Sequence, residues 1–91
     1  MMGKNSFFKG LWITNFKRLS GFLMEIEFSN GEMRLVDFYP ILANAPGEVG
    51  DIINNNLFAE VKLAEGTLLW PNGIDLDPDY LYEVSEIPSK K

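Results

Sequence analysis

Two places in this 91-residue chain hold residue types that could do chemistry. One is the segment Trp70-Pro71-Asn72-Gly73-Ile74-Asp75-Leu76-Asp77-Pro78, which packs an aromatic, two prolines, a turn glycine and two carboxylates into nine residues. The other is Asp37, which follows Val36 and precedes Phe38-Tyr39-Pro40. A carboxylate pair such as Asp37 and Asp75 could in principle perform acid–base work. Trp70 could stack on a base or sugar beside such a pair. Asp75, Asp77 and Asp79 also alternate, with Glu86 where a calcium loop places its bidentate acid. That match fails at the turn, where Tyr80 replaces the glycine and Pro78 restricts the backbone.

Each of these residues has a structural use as well. Aspartate at the N-cap, proline at the first helical position and an acid in the first turn start a helix, so Asp77-Pro78-Asp79 predicts a short one over Tyr80–Tyr82 that ends near Glu83. Trp70 suits a partly buried anchor whose ring N–H finds a carbonyl. Asn72-Gly73 is turn chemistry, its side-chain amide holding the neighbouring backbone. Asp37 is placed to meet Arg34 or a distant cation, or to pair with Asp75. The candidate set is therefore a turn, functional or structural, made of Trp70, Pro71, Asn72, Gly73, Asp75 and Asp77, with Asp37. No catalytic, cofactor-binding or metal-ligating residue is assigned.

The elements that must position this turn follow from patterning. Leu11 to Leu19 is rich in strand formers, and Ser20-Gly21 offers a tight turn. In Gly21–Asn30 the residues Phe22, Met24, Ile26 and Phe28 alternate with Leu23, Glu25, Glu27 and Ser29, the period of a half-buried strand. Asn30-Gly31 predicts a type I′ hairpin turn, with positive φ at both central residues. A third strand is expected from about Glu32 to Phe38, ended by Pro40, and Ile41-Leu42 suit a short helical turn. Val49, Ile52 and Ile53 fall at helical spacing in Gly47–Asn55, with Leu57 on the same face. Asn54-Asn55-Asn56 suit its C-terminus. Alternation then predicts strands over Phe58–Leu63 and Thr67–Trp70. The fold class is α+β: a three-stranded antiparallel meander, two further short strands, one amphipathic helix and a short C-terminal helical turn. Residues 1–91 are expected to form a single domain, its ordered core about 7–85, with a loose tail from Glu86 onward.

Composition narrows the function. With no cysteine and no histidine, thiolate nucleophiles, disulfides, Ser-His-Asp triads and His-metal sites are all excluded, so the expectation is no enzyme and no cofactor. Thirteen acidic and eight basic residues give a net charge of −5. Cations are scattered, with no cluster larger than the pairs Lys17-Arg18 and Lys90-Lys91, which argues against nucleic-acid binding by this chain alone. No apolar run reaches the roughly 20 residues of a membrane span. The start lacks the apolar core of a signal peptide, because Lys9 and Gly10 interrupt it. A cytoplasmic location fits. Phe7, Phe8 and Leu11 are too apolar for a free tail and are expected to pack on the domain or on another chain.

One resemblance covers most of the chain, roughly residues 11–83. Phe28-Ser29-Asn30-Gly31-Glu32, then Arg34-Leu35-Val36-Asp37-Phe38, then Leu57-Phe58, and finally Trp70-Pro71-Asn72-Gly73-Ile74-Asp75-Leu76-Asp77-Pro78-Asp79-Tyr80-Leu81-Tyr82 resemble the small prokaryotic family called domain of unknown function 2442. The family has Phe-x-Asp-Gly where this chain has Phe28-Ser29-Asn30-Gly31, and asparagine serves the same turn. The resemblance implies a small α+β domain, often encoded beside another small protein in an arrangement like a bacterial toxin–antitoxin pair, with this family as the antitoxin. It carries over no catalytic residues.

Two functions are compatible with these features. The first is a protein-interaction module, antitoxin-like or accessory, that binds a small basic protein through an acidic sheet face or an edge strand. Association into homo-oligomers is also open to it. The second is a small-molecule-binding or weakly enzymatic domain built on the Trp70–Asp77 turn, which predicts a concave pocket there.

Overall fold

In the computed structural model, which describes residues 10–88, the alternating segments form two three-stranded antiparallel sheets. The first is the expected meander, β1 (Ile13–Arg18), β2 (Leu23–Phe28) and β3 (Met33–Asp37). Its register places Met24 opposite Val36 and Ile26 opposite Phe16, so the period-two residues share one face and are buried there. A bulge between Ile13 and Asn15 twists the start of β1. Two helices follow, α1 (Tyr39–Leu42), with Pro40 in its first turn, and α2 (Gly47–Asn54), which buries Ile52. The second sheet comprises β4 (Lys62–Ala64), β5 (Thr67–Leu69) and β6 (Asp75–Leu76), and α3 (Pro78–Val84) closes the fold.

Both sheets contribute to one apolar core: Ile13, Met24, Ile26, Phe28, Val36 and Phe38 from the first sheet and its margins, Leu68 and Trp70 from the second, and Leu42, Ile52, Phe58 and Leu81 from between and beyond. Leu11 packs against this cluster, as its apolar character predicted; Phe7 and Phe8 lie outside the described residues.

Several local expectations are corrected. Phe58–Leu63 is not a continuous strand: Phe58–Glu60 is a 3₁₀ turn, and pairing starts only at Lys62. The 3₁₀ turn buries Phe58 while Ala59 and Glu60 face solvent, so the first half of the alternation arose from a helical turn. The second sheet gains a third strand, β6, too short to show a pattern. The tail does not loosen at Glu86, which exchanges both backbone hydrogen bonds with Leu35 at 2.8 Å and so borders β3.

The Asn30-Gly31 turn is also different in kind. The Gly31 N–H donates to the Phe28 carbonyl and the Phe28 N–H to the Glu32 carbonyl, at 2.8 and 2.9 Å. Gly31 has φ +88°, while Asn30 is not among the residues with positive φ. This is a three-residue loop, a type I turn followed by a left-handed glycine bulge. The same construction recurs at Trp70-Pro71-Asn72-Gly73-Ile74, with bonds of 2.9 Å at both places and Gly73 at φ +87°. In each loop the asparagine Oδ1 accepts from the N–H two residues on. A buried aromatic followed by x-Asn-Gly thus closes a hairpin in each sheet.

The sheets meet where the Ile13 N–H donates to the Gly66 carbonyl at 2.8 Å. Trp12 lies across Gly66 here, and a Cβ on Gly66 would fall 2.8 Å from the Trp12 Cβ. Gly66 also holds φ +82°. Gly66→Ala should therefore cost about 1–3 kcal/mol, seen as a lower urea midpoint at unchanged slope. An unchanged midpoint would mean that the two sheets do not depend on this close approach.

Candidate functional site

The Trp70 turn is assembled from the core outward. Trp70 is 1% exposed, its ring stacked on Phe58 (centroids 6.1 Å apart) and edge-on to Phe38 at 5.9 Å. Its Nε1–H donates to the Phe58 carbonyl at 3.2 Å. The anchor predicted for this residue is what the fold builds, and a ring so enclosed offers little face to a base or sugar. Asn72 spends its amide on the backbone: Nδ2 donates to the Glu48 carbonyl at 2.8 Å, tying the turn to α2, and Oδ1 accepts from the Ile74 N–H.

The acids after the turn are placed one by one. Asp75 is exposed in β6, opposite Leu69. Asp77 is the N-cap of α3, where its Oδ1 accepts from the Asp79 N–H at 3.1 Å with Pro78 in the first turn, as the sequence predicted. The helix runs further than Tyr80–Tyr82, to Val84.

Asp79, in sequence a helix-start acid and one of three alternating aspartates, is the one buried charged side chain among the described residues. Its Oδ2 accepts from the Gly10 N–H at 3.0 Å and its Oδ1 from the Leu11 N–H at 2.9 Å. The carboxylate thus clamps two successive amides from the other end of the chain. Such charge-assisted bonds are among the stronger ones a fold makes. Nothing local to Asp79 announces partners 68 and 69 residues away. Among the described residues, no group of three or more carboxylates could hold a metal ion.

Asp37 is not joined to this turn. It sits at the end of β3 in the first sheet, exposed, and its Oδ1 accepts from the Tyr39 N–H at 3.1 Å, starting α1. Nor does it meet Arg34. That guanidinium donates to Ser85 Oγ at 2.9 Å and Glu32 Oε1 at 3.1 Å, and lies 4.3 Å from the centre of the Tyr82 ring. Arg34 and Asp37 stand on opposite faces of β3, because the register pairs Arg34 with Ile26 and Asp37 with Leu23.

Two recesses are relevant. One of about 410 Å³ lies beside the Trp70 turn, lined by Glu60, Lys62, Leu69, Trp70, Pro71 and Gly73. A concavity is present where the small-ligand reading expects one, but Asn72, Asp75 and Asp37 do not line it; its charged groups are Glu60 and Lys62. The second, about 660 Å³, lies between the end of β3, α1 and α3, and includes Leu35, Asp37, Ile41, Tyr80, Val84 and Glu86. No sequence pattern marked this second recess, since its lining comes from three separated segments.

A family model described as "Protein of unknown function (DUF2442)" matches residues 13–86. No curated protein and no solved structure matches the chain. Among the described residues, no helix is long and apolar enough to cross a membrane.

The three acids should rank clearly in stability. Asp79→Ala leaves two amides without their acceptor and should cost about 2–3 kcal/mol. Asp77→Ala loses one cap, about 1 kcal/mol, and exposed Asp75→Ala should stay within about 0.5 kcal/mol. Denaturant titration of the three variants measures this order. Asp75→Ala as the most damaging change would contradict the assignment of roles.

Proposed function

The chain belongs to the DUF2442 family, and we propose that it is a protein-interaction module, the antitoxin-like or accessory partner of a small basic protein. One observation carries this reading, the outward face of the first sheet. The register sends Leu23, Glu25 and Glu27 of β2 and Met33, Leu35 and Asp37 of β3 to the side away from the core, with Asn15 and Lys17 of β1 beside them. Three carboxylates stand among three apolar side chains, with Lys17 the one cation among these eight. Such a surface suits a partner that brings positive charge together with apolar contact. The net charge of −5 steers the same class of partner toward it.

A small-ligand reading has one observation in its favour, the 410 Å³ recess beside Trp70. It would now rest on Glu60 and Lys62 rather than on Asp75 and Asp37. The residues around it are otherwise engaged in holding the turn, which favours the interaction reading.

The test is purification of the tagged protein from its host at low and high salt, alongside Glu25→Lys/Glu27→Lys. One small basic protein should be retained near stoichiometry at low salt by the wild type, released at high salt, and lost from the double variant with its fold intact by circular dichroism. Absence of any stoichiometric partner, or a partner indifferent to both salt and charge reversal, would overturn the reading.

A further inference from the structure

The second recess gives the interaction reading, on which this inference rests, a specific docking site. Among the described residues that line it, six are apolar: Leu23, Leu35, Pro40, Ile41, Tyr80 and Val84. The other two, Asp37 and Glu86, are both acids, and no cation lines it among the described residues. Tyr80 and Val84 are 46% and 42% exposed, large apolar surface for a chain of this size to leave in water. They are four residues apart on α3, so they form one stripe along the exposed flank of the helix, beside Leu81, which is buried in the core.

No ion pair among the described residues neutralises the acids of the recess. Asp37 uses one oxygen to start α1. Arg34, the nearest cation in sequence, is drawn to the other face of β3 by Glu32, Ser85 and the Tyr82 ring. An apolar floor with two acids at its margin complements a segment that carries lysine or arginine beside bulky apolar residues.

The form of that segment follows from the sheet edge. Leu35 turns its N–H and carbonyl outward from β3, and both are already bonded to Glu86. The central rung a partner strand would need is closed, so docking falls to side chains. We propose that the recess between β3, α1 and α3 receives a basic amphipathic helix of the partner protein, its apolar residues on Leu35, Ile41, Tyr80 and Val84 and its cations on Asp37 and Glu86. This is helix-in-groove recognition, with the acids supplying orientation and salt sensitivity.

The probe is a short peptide with lysine and leucine repeating at helical spacing, compared with its glutamate–leucine counterpart. Amide chemical shifts of the labelled protein map where each binds. The lysine peptide should perturb β3, α1 and α3 around Leu35, Ile41, Tyr80 and Val84, and the glutamate peptide should not bind. Asp37→Asn/Glu86→Gln should weaken the lysine peptide about tenfold and flatten its salt dependence. Asparagine keeps the acceptor that starts α1, and an unchanged thermal midpoint confirms that the fold is intact. No binding, perturbation centred on the Trp70 turn, or binding unaffected by the double variant would each overturn the inference. So would a dimer in sedimentation that disperses with Val84→Lys, since a second copy would then occupy the groove. If the interaction reading itself fails, no partner is captured at any salt; if only this inference fails, a captured partner is held equally by wild type and Asp37→Asn/Glu86→Gln.

Discussion

The hydrogen bond from the Trp70 indole to the Phe58 carbonyl, in the middle of an aromatic cluster, is the constraint on which the other elements depend. Trp70 comes from the margin of the second sheet, Phe38 from the end of the first, and Phe58 from the segment between α2 and β4. One side chain therefore touches all three parts of the chain. A tryptophan buried to this depth needs a partner for its N–H, because an unpaired donor in an apolar interior costs several kilocalories per mole. The Phe58 carbonyl serves two donors, the Val61 N–H that closes the 3₁₀ turn at 3.3 Å and the Trp70 indole at 3.2 Å, one for each lone pair.

Around this anchor the polar side chains of the Trp70–Asp79 segment, exposed Asp75 apart, are used on architecture. Asn72 ties α2 to the turn, Asp77 caps α3, and Asp79 holds the chain at Gly10 and Leu11. A segment so occupied can be distinctive without being reactive. The surfaces with unmet chemistry are elsewhere, on the outward face of the first sheet and in the recess beside α3, where acids and apolar side chains face outward together. The aromatic-x-Asn-Gly loop used in both sheets gives the same lesson: Phe28 and Trp70 are buried and Gly31 and Gly73 take positive φ, so the motif is a hairpin device.

The sequence carried most of the fold because its strongest signals are local. Alternation through Phe22–Phe28, the helical spacing of Val49, Ile52 and Ile53, and the Asp77-Pro78 cap each act within a few residues, and the structure keeps all three. Failures came where a local pattern had two solutions. Alternation over Phe58–Leu63 fits a strand or a 3₁₀ turn leading into one, and what sets them apart is tertiary, the packing of Phe58 against Phe38 and Trp70. Asn-Gly fits a type I′ turn or the end of a type I turn with a glycine bulge. Long-range arrangements were the least legible. Asp79 meets amides from the far end of the chain, and the recess gathers Leu35, Ile41 and Val84 from segments with no common periodicity. Asp37 and Asp75 matched in type, but no rule of spacing could show that they sit on different sheets.

The measurement that tests this account most directly is hydrogen–deuterium exchange of the protein alone and with the small basic partner proposed for it. Protection is predicted to appear in β2 and β3, α1 and the outer stripe of α3, while the Trp70–Asp77 turn exchanges at the same slow rate in both states. New protection concentrated at the Trp70–Asp77 turn, with the first sheet unchanged, would contradict it and make that turn the binding site.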